Sequence, residues 1–238
     1  MNPTKIQWTD MTWNPVTGCT KISEGCQNCY AEAISKRFIG NFDIKLHLDR
    51  LGQLAKMKKP KKIFVCSMSD LFHKDIPNEF INMVWQTMTE NNQHIYQILT
   101  KRPERLVQHS KYYCWAPQNH IWLGVSVENQ KRADERIPLL LKTNTSIKFV
   151  SCEPLLSHVS LFDFLGDGDY IDPQIDWVIV GGESGPKFRP LNLDWARKIR
   201  NQCQEARVPF FMKQVGGLHG GNWEDIPKDL RIREWPQT

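Results

Sequence analysis

Short, almost wholly apolar runs recur along this chain and narrow what it can fold into. They lie at 62–66, 95–99, 121–125, 148–152, 177–180 and 209–212, and each is rich in β-branched or aromatic residues. A strand with one solvated face alternates polar and apolar positions; a strand covered on both faces reads as a continuous apolar run, as these do. They return roughly every 25–32 residues, the length of a strand plus a crossover helix. The pattern therefore predicts parallel strands separated by helices.

Helical stretches fill the gaps. Asn78–Glu90 places Phe80, Ile81, Val84, Trp85 and Met88 on one face behind Pro77, with Asn78 as the expected cap. Segments 132–141 and 193–206 show similar spacing, whereas 71–77 and 161–174 read as loops or short helical turns. A strand near 11–14 brings the count to about seven βα repeats. The simplest architecture is a partial or open (β/α) barrel of six to seven parallel strands, with a doubly wound open sheet as the alternative. No segment is rich enough in Gly, Pro or Ser to divide the chain, so residues 1–238 are expected to form one domain, with a C-terminal extension from about residue 216.

At 238 residues, 40% of them hydrophobic, the chain is long enough for a full core. No apolar run approaches the roughly 18–20 residues that cross a bilayer, and the N-terminus lacks a secretion signal, so a cytoplasmic protein is expected. Its seven cysteines should then stay reduced. Cys66, Cys114, Cys152 and Cys203 are scattered and read as small buried hydrophobes. The net charge of +5 suits an anionic partner without requiring one. The dense basic run of Lys56, Lys58, Lys59, Lys61 and Lys62 reads either as a solvated loop or as a track for nucleic-acid phosphates.

Parallel βα folds carry their sites at the carboxyl ends of the strands. Those ends are polar almost throughout: Thr17-Gly18-Cys19, then Ser67, Ser69 and Asp70, Lys101 and Arg102, Ser126 and Glu128, Glu153, Gly181-Gly182-Glu183-Ser184, and Lys213. Helix capping accounts for Ser69, Asp70 and Ser184. It does not account for Lys101, Glu128, Glu153, Glu183 or Lys213, which point to a pocket of mixed charge.

The first strand end leads into a dense cysteine cluster, Cys19, Cys26 and Cys29, with gaps of six and two residues inside the loop spanning 17–32. Three thiolates on one loop can hold a metal or an iron–sulfur cluster, with Gly18 and Gly25 letting the backbone turn tightly. Structural zinc prefers four protein ligands, often in two close pairs, and only one close pair is present, although zinc remains the alternative. With three ligands, one iron of a four-iron cluster stays open.

Three cysteines after the first strand of a βα barrel resemble the radical S-adenosylmethionine superfamily. The segments at 6–10, 12–19, 26–32 and 211–217, with Ser-Met-Ser-Asp, Leu-Thr-Lys-Arg-Pro, Cys-Glu-Pro-Leu and Gly-Gly-Glu-Ser-Gly, further resemble a phage- and bacterium-associated family. That family is sometimes called three-Cys-motif proteins and is largely of unknown function. The chain departs from the superfamily in its six-residue first gap and in having Asn28, rather than an aromatic residue, before the third cysteine; Tyr30 follows it.

The resemblance implies that Cys19, Cys26 and Cys29 ligate a [4Fe–4S] cluster and that S-adenosylmethionine binds its open iron. An electron from an external donor would then generate a 5′-deoxyadenosyl radical. Ser67, Ser69 and Asp70 would meet the methionine amino group, and Ser126 and Glu128 the ribose. Gly181, Gly182 and Glu183 would lie beside the adenosyl part, with Glu153 in the same mouth. Lys101, Arg102 and Lys213 would face a carboxylate or an anionic substrate. Tyr30 is a candidate for the missing aromatic, and Cys66 and Cys152 are candidate hydrogen-atom donors. The expected substrate is a nucleic acid or nucleotide; a small metabolite or peptide is the second reading, and a non-catalytic metal-stabilised adaptor the third. No Gly-x-Ser-x-Gly elbow, phosphate-binding loop or zinc-protease signature offers a hydrolytic alternative.

Overall fold

A computed structural model of the chain describes residues 1–113, 115–116, 118–166, 174–218 and 220–237. Cys114 and part of segment 161–174 lie outside the described residues. Seven strands form a parallel sheet: β1 Met11–Trp13, β2 Lys62–Val65, β3 Ile95–Thr100, β4 Ile121–Ser126, β5 Ile147–Cys152, β6 Trp177–Gly181 and β7 Phe210–Gln214. They pair strictly in chain order, β1 through β7, which gives a half-barrel rather than a doubly wound sheet. All six predicted runs are strands, and the seventh starts at Met11, as expected.

Both edges of the sheet are covered by antiparallel chain. Asn2–Pro3 pairs with β1, and the C-terminal segment runs back along β7, where Phe211 bridges Arg233 and the Met212 amide donates to the Ile232 carbonyl. Covering an exposed edge removes a template for unwanted strand pairing. Among the described residues, six α-helices follow the strands: α1 Tyr30–Ile39, α2 Asn78–Glu90, α3 Pro103–Tyr112, α4 Gln130–Leu141, the single turn α5 Phe162–Leu165, and α6 Leu193–Glu205. None of the described helices is long and apolar enough to cross a membrane.

The expected cap of α2 is displaced by one residue. Pro77 is the N-cap, and Asn78 instead accepts from Arg105 through its side chain and contacts His109 through its carbonyl. Helices α1 and α3 were not legible in the sequence. Helix α1 buries only Ala31 and Ser35 and leaves Phe38 74% exposed, so its apolar pattern does not mark a core-facing stripe.

Strand alternation sorts the core into two layers. Residues such as Val65, Ile98, Val125, Val150, Cys152, Val180 and Met212 face the helices. The opposite face encloses Trp8, Phe64, Trp122, Phe149, Trp177, Ile179 and Phe211. These rings fill the amino-terminal half of the lumen. Trp177 packs edge-on against Trp8, Trp122 and Phe211 at centroid distances of 6.3, 5.9 and 5.9 Å. Each buried ring stabilises the fold by roughly 3 kcal/mol. Higher on the same face the residues shrink or become polar: Gly124 and Ser126, Ser151 and Glu153, Gly181, Lys213. The half-barrel thus has an aromatic floor and a polar mouth.

Trp8, Trp13 and Trp115 are buried in this packing and offer no stacking surface. The lysine run lies at the wrong end for the mouth. It enters β2 from its amino end, and Lys62 sits over the Trp235 ring at 4.8 Å, on the floor side.

Candidate active site at the mouth of the half-barrel

The cysteine loop leaves β1 through a two-residue strand, Val16–Thr17, and crosses the mouth before Cys29 caps α1. Gly18 has φ +87°, and a side chain there would overlap the Asp43 carbonyl. Gly25 is needed for a different reason: a Cβ would overlap the Glu128 side chain, so only glycine lets the loop sit on that carboxylate. Cys19, Cys26 and Cys29 are half-buried and unpaired, whereas Cys66, Cys152 and Cys203 are buried. Burial and the Asp70 charge push the Cys19 thiol up to about 11, against the pull of Arg102.

Among the described residues no three His, Cys, Asp or Glu side chains converge as a single metal ion requires. A tetrahedral ion needs that convergence; a cluster bound at separate corners, one thiolate to each, does not. Three half-buried thiols on one loop above the mouth fit the latter group.

Three carboxylate–arginine pairs hold the loop from below. At the end of β2, Asp70 binds Arg102 at 2.9 Å and accepts from the Thr100 hydroxyl at 2.7 Å. Arg102 in turn donates to the Cys19 sulfur at 3.6 Å and to the Thr20 carbonyl at 2.9 Å. After β4, Glu128 is fully buried, binds Arg136 of α4 at 2.6 Å, and accepts from the Ser23 hydroxyl. After β6, Glu183 binds Arg189 at 2.6 Å and accepts from the Asn28 amide at 2.9 Å. Burial alone would raise the Glu183 pKa, but the hydrogen bonds from Arg189 and Asn28 hold it below the usual carboxylate range.

Asp70, Glu128 and Glu183, expected to meet the cofactor, each pair with an arginine and, directly or through it, touch the cysteine loop. Ser67 and Ser69 also serve the scaffold. The Ser67 hydroxyl donates to the Asn14 side chain at 3.2 Å, and the Ser69 hydroxyl donates to the Val16 carbonyl at 2.9 Å. Ser126 lies on the lumen face, its carbonyl accepting from Arg136 at 2.7 Å.

Glu153 makes the exception. It meets Lys213 at 2.5 Å and accepts from Gln214 at 3.0 Å, and these two partners come from β7 rather than the loop. A Cβ on Gly181 would come within 3.0 Å of the Glu153 carboxyl carbon, so the glycine leaves room for that carboxylate. Lys101 reaches Glu128 only at 4.0 Å. Gly182 packs against the backbone of the Val215–Gly216 turn and supports β7.

Tyr30 is 40% exposed, but its hydroxyl turns inward and donates to the Ser67 carbonyl at 2.6 Å. Burial of that hydroxyl, with Cys29 and Glu153 nearby, raises its pKa. Cys66 adopts a left-handed φ of +61° and is packed in the helix-side core, where burial pushes its thiol up to about 12. Cys152 also faces the helices, near Cys203, and burial raises its pKa. The strand ends bring both thiols to the correct height but the wrong face.

Sequence reasoning missed Arg136 and Arg189 as site residues. Arg136 had a signal: it shares the buried face of α4 with Ala133, Ile137 and Leu140, where an unpaired charge would be costly.

A model of the family described as a protein of unknown function, DUF5131, matches residues 3–235. The chain belongs to the DUF5131 family. No curated protein matches it. Among solved structures, a cysteine-to-serine mutant of spore photoproduct lyase aligns with a TM-score of 0.50 at 12% identity, covering 87% of this chain and 64% of that one. Spore photoproduct lyase complexed with dinucleoside spore photoproduct aligns at 0.48 and 10% identity, over the same shares. A double mutant of the same lyase with bound AdoMet and dinucleoside spore photoproduct aligns at 0.47 and 11%, again over the same shares. The DUF5131 chain thus spans just under two thirds of the length of these structures. The first alignment shows a shared half-barrel fold, the fold that the strand pattern led us to expect.

Proposed function

We propose that this protein is a radical S-adenosylmethionine enzyme that modifies or repairs a nucleic acid or nucleotide. The observation that carries the reading is the placement of three half-buried thiols, Cys19, Cys26 and Cys29, on the loop over the mouth of a parallel half-barrel. They would hold a [4Fe–4S] cluster at three corners. Cluster and S-adenosylmethionine together would supply a 5′-deoxyadenosyl radical, with the electron coming from an external donor.

The chain's own residues would then bind, orient and exclude water. Glu153, Lys213 and Gln214 present acceptor and donor groups side by side in the mouth, and Gly181 leaves room for the Glu153 carboxylate. Lys101, together with Lys213, favours a ligand carrying phosphate or carboxylate. Ser126 and Tyr30 flank the same opening. The ring layer below closes the lumen to water, which protects a reactive radical from side reactions. The fold shared with spore photoproduct lyase supports a nucleotide-type substrate over a small metabolite or peptide.

Anaerobic reconstitution with iron and sulfide should yield a brown protein that forms 5′-deoxyadenosine when reduced with dithionite in the presence of S-adenosylmethionine. Cys26→Ser should abolish both the colour and the product, and single-stranded DNA or RNA should stimulate turnover. A colourless protein carrying stoichiometric zinc would overturn the proposal and favour the metal-stabilised adaptor.

A further inference from the structure

We infer that the three carboxylate–arginine pairs shape the cysteine loop piecewise, each setting one thiol. Asp70–Arg102 fixes Cys19; Glu128–Arg136, through Ser23, fixes Cys26; and Glu183–Arg189, through Asn28, fixes Cys29. Asp70, Glu128 and Glu183 are thus positioning residues. The assignment of these cysteines as cluster ligands rests on the function proposed above, whereas the loop's shape belongs to the metal-free chain.

Each pair makes its nearest link beside a different cysteine. Arg102 alone of the three arginines touches a ligand sulfur, that of Cys19, at 3.6 Å. Ser23 joins Cys26 twice: the Cys26 amide donates to the Ser23 carbonyl at 3.0 Å, and the Ser23 hydroxyl lies 3.7 Å from the Cys26 sulfur. That same hydroxyl is bound from below by Glu128, over which Gly25 closes without a side chain. Asn28 immediately precedes Cys29 and spans Glu183 at 2.9 Å and the Lys187 carbonyl at 2.8 Å. Arg189 adds the Glu24 carbonyl at 3.0 Å and so ties the middle of the loop to the same strand end.

The arginines come from three separate places: the cap of α3, the body of α4 and the loop before α6. A loop needed only to cover the barrel has no use for a separate charge pair beside each thiol. A loop that must present three thiolates at fixed separations does, because charge-assisted bonds fix geometry as well as energy. Glu153–Lys213, the fourth pair at these strand ends, does not touch the loop, which leaves it for the ligand.

The test is the alkylation rate of each cysteine in metal-free protein, followed by peptide mass spectrometry, for Ser23→Ala, Asn28→Ala and Arg102→Lys. All three substitutions leave every carboxylate in place, and a thermal midpoint close to that of the unsubstituted protein confirms folding. Ser23→Ala should change the Cys26 rate about threefold or more and leave Cys19 alone; Asn28→Ala should do the same for Cys29, and Arg102→Lys for Cys19. Ser23→Thr should restore the Cys26 rate. Rates that move together by one factor in each variant, or that do not move, overturn the inference. A protein that shows the selective pattern but never assembles a cluster would leave the loop assignment standing and refute the enzyme reading.

Discussion

Glu128 and Arg136 provide the sharpest test of how the mouth is held together. Glu128 is 0% exposed and Arg136 3% exposed, so solvent screening weakens their 2.6 Å pair very little. Replacing Glu128 with Gln keeps the volume but strands the Arg136 charge, whose other contact is the Ser126 carbonyl. Removing one partner of such a buried pair costs about 3–5 kcal/mol. For a chain of this size that corresponds to a fall of roughly 6–20 °C in the thermal midpoint. Arg136→Met should cost a similar amount by stranding the carboxylate. The double variant removes both charges together, so it should lose well under the sum of the two, by about 2 kcal/mol or more. Urea unfolding of the four metal-free proteins measures this coupling. Additivity of the two losses to within about 0.5 kcal/mol would refute the reasoning, because it would mean that the charges do not depend on each other.

Other consequences can be checked separately. Gly124→Ala would place a Cβ within 2.6 Å of the Phe149 ring, an overpacking that should cost about 1–3 kcal/mol in urea unfolding. Gly181→Ala meets the flexible Glu153 side chain at 3.0 Å instead, so it should weaken ligand binding more than it lowers stability. The Glu183 pKa is depressed in the folded state, so its stabilisation is complete above the unfolded carboxylate value near ~4.3 and is lost as pH falls through the folded value. Acid unfolding curves should therefore be flatter below about pH 4.5 for Glu183→Gln than for the unsubstituted protein. Lys101→Ala should weaken nucleic-acid binding about tenfold in fluorescence anisotropy, the loss of one charge-assisted contact, whereas Lys58→Glu with Lys59→Glu, at the floor end, should leave turnover unchanged.

How much of this was legible depends on whether the signal was local. The six apolar runs became six strands because burial on both faces writes itself into consecutive residues. The cysteine loop could be placed because it follows the first strand directly. Cys152 illustrates the limit of reading strand ends: position along the chain gives height on the sheet, but side-chain alternation decides the face, and Cys152 shares the helix side with Val150. Helix α1 escaped because small residues make its buried face and large apolar residues its exposed one.

The sequence by itself determined that the strands run parallel, that their carboxyl ends are polar and that three thiols cluster after the first strand, since each is carried by residues adjacent in the chain. The order of the strands in the sheet was decided by the structure. Only the tertiary structure decided which partner each acid takes. Ser23 and Glu128 are 105 residues apart, Asn28 and Glu183 are 155 apart, and Glu153 and Lys213 are 60 apart. A buried carboxylate takes whichever cation or donor the fold brings to it, because leaving it unpaired costs several kcal/mol. Folding brought an arginine and the loop to Asp70, Glu128 and Glu183, and to Glu153 only the lysine and glutamine of β7. That difference separates the carboxylates that hold the cysteine loop from the one that does not.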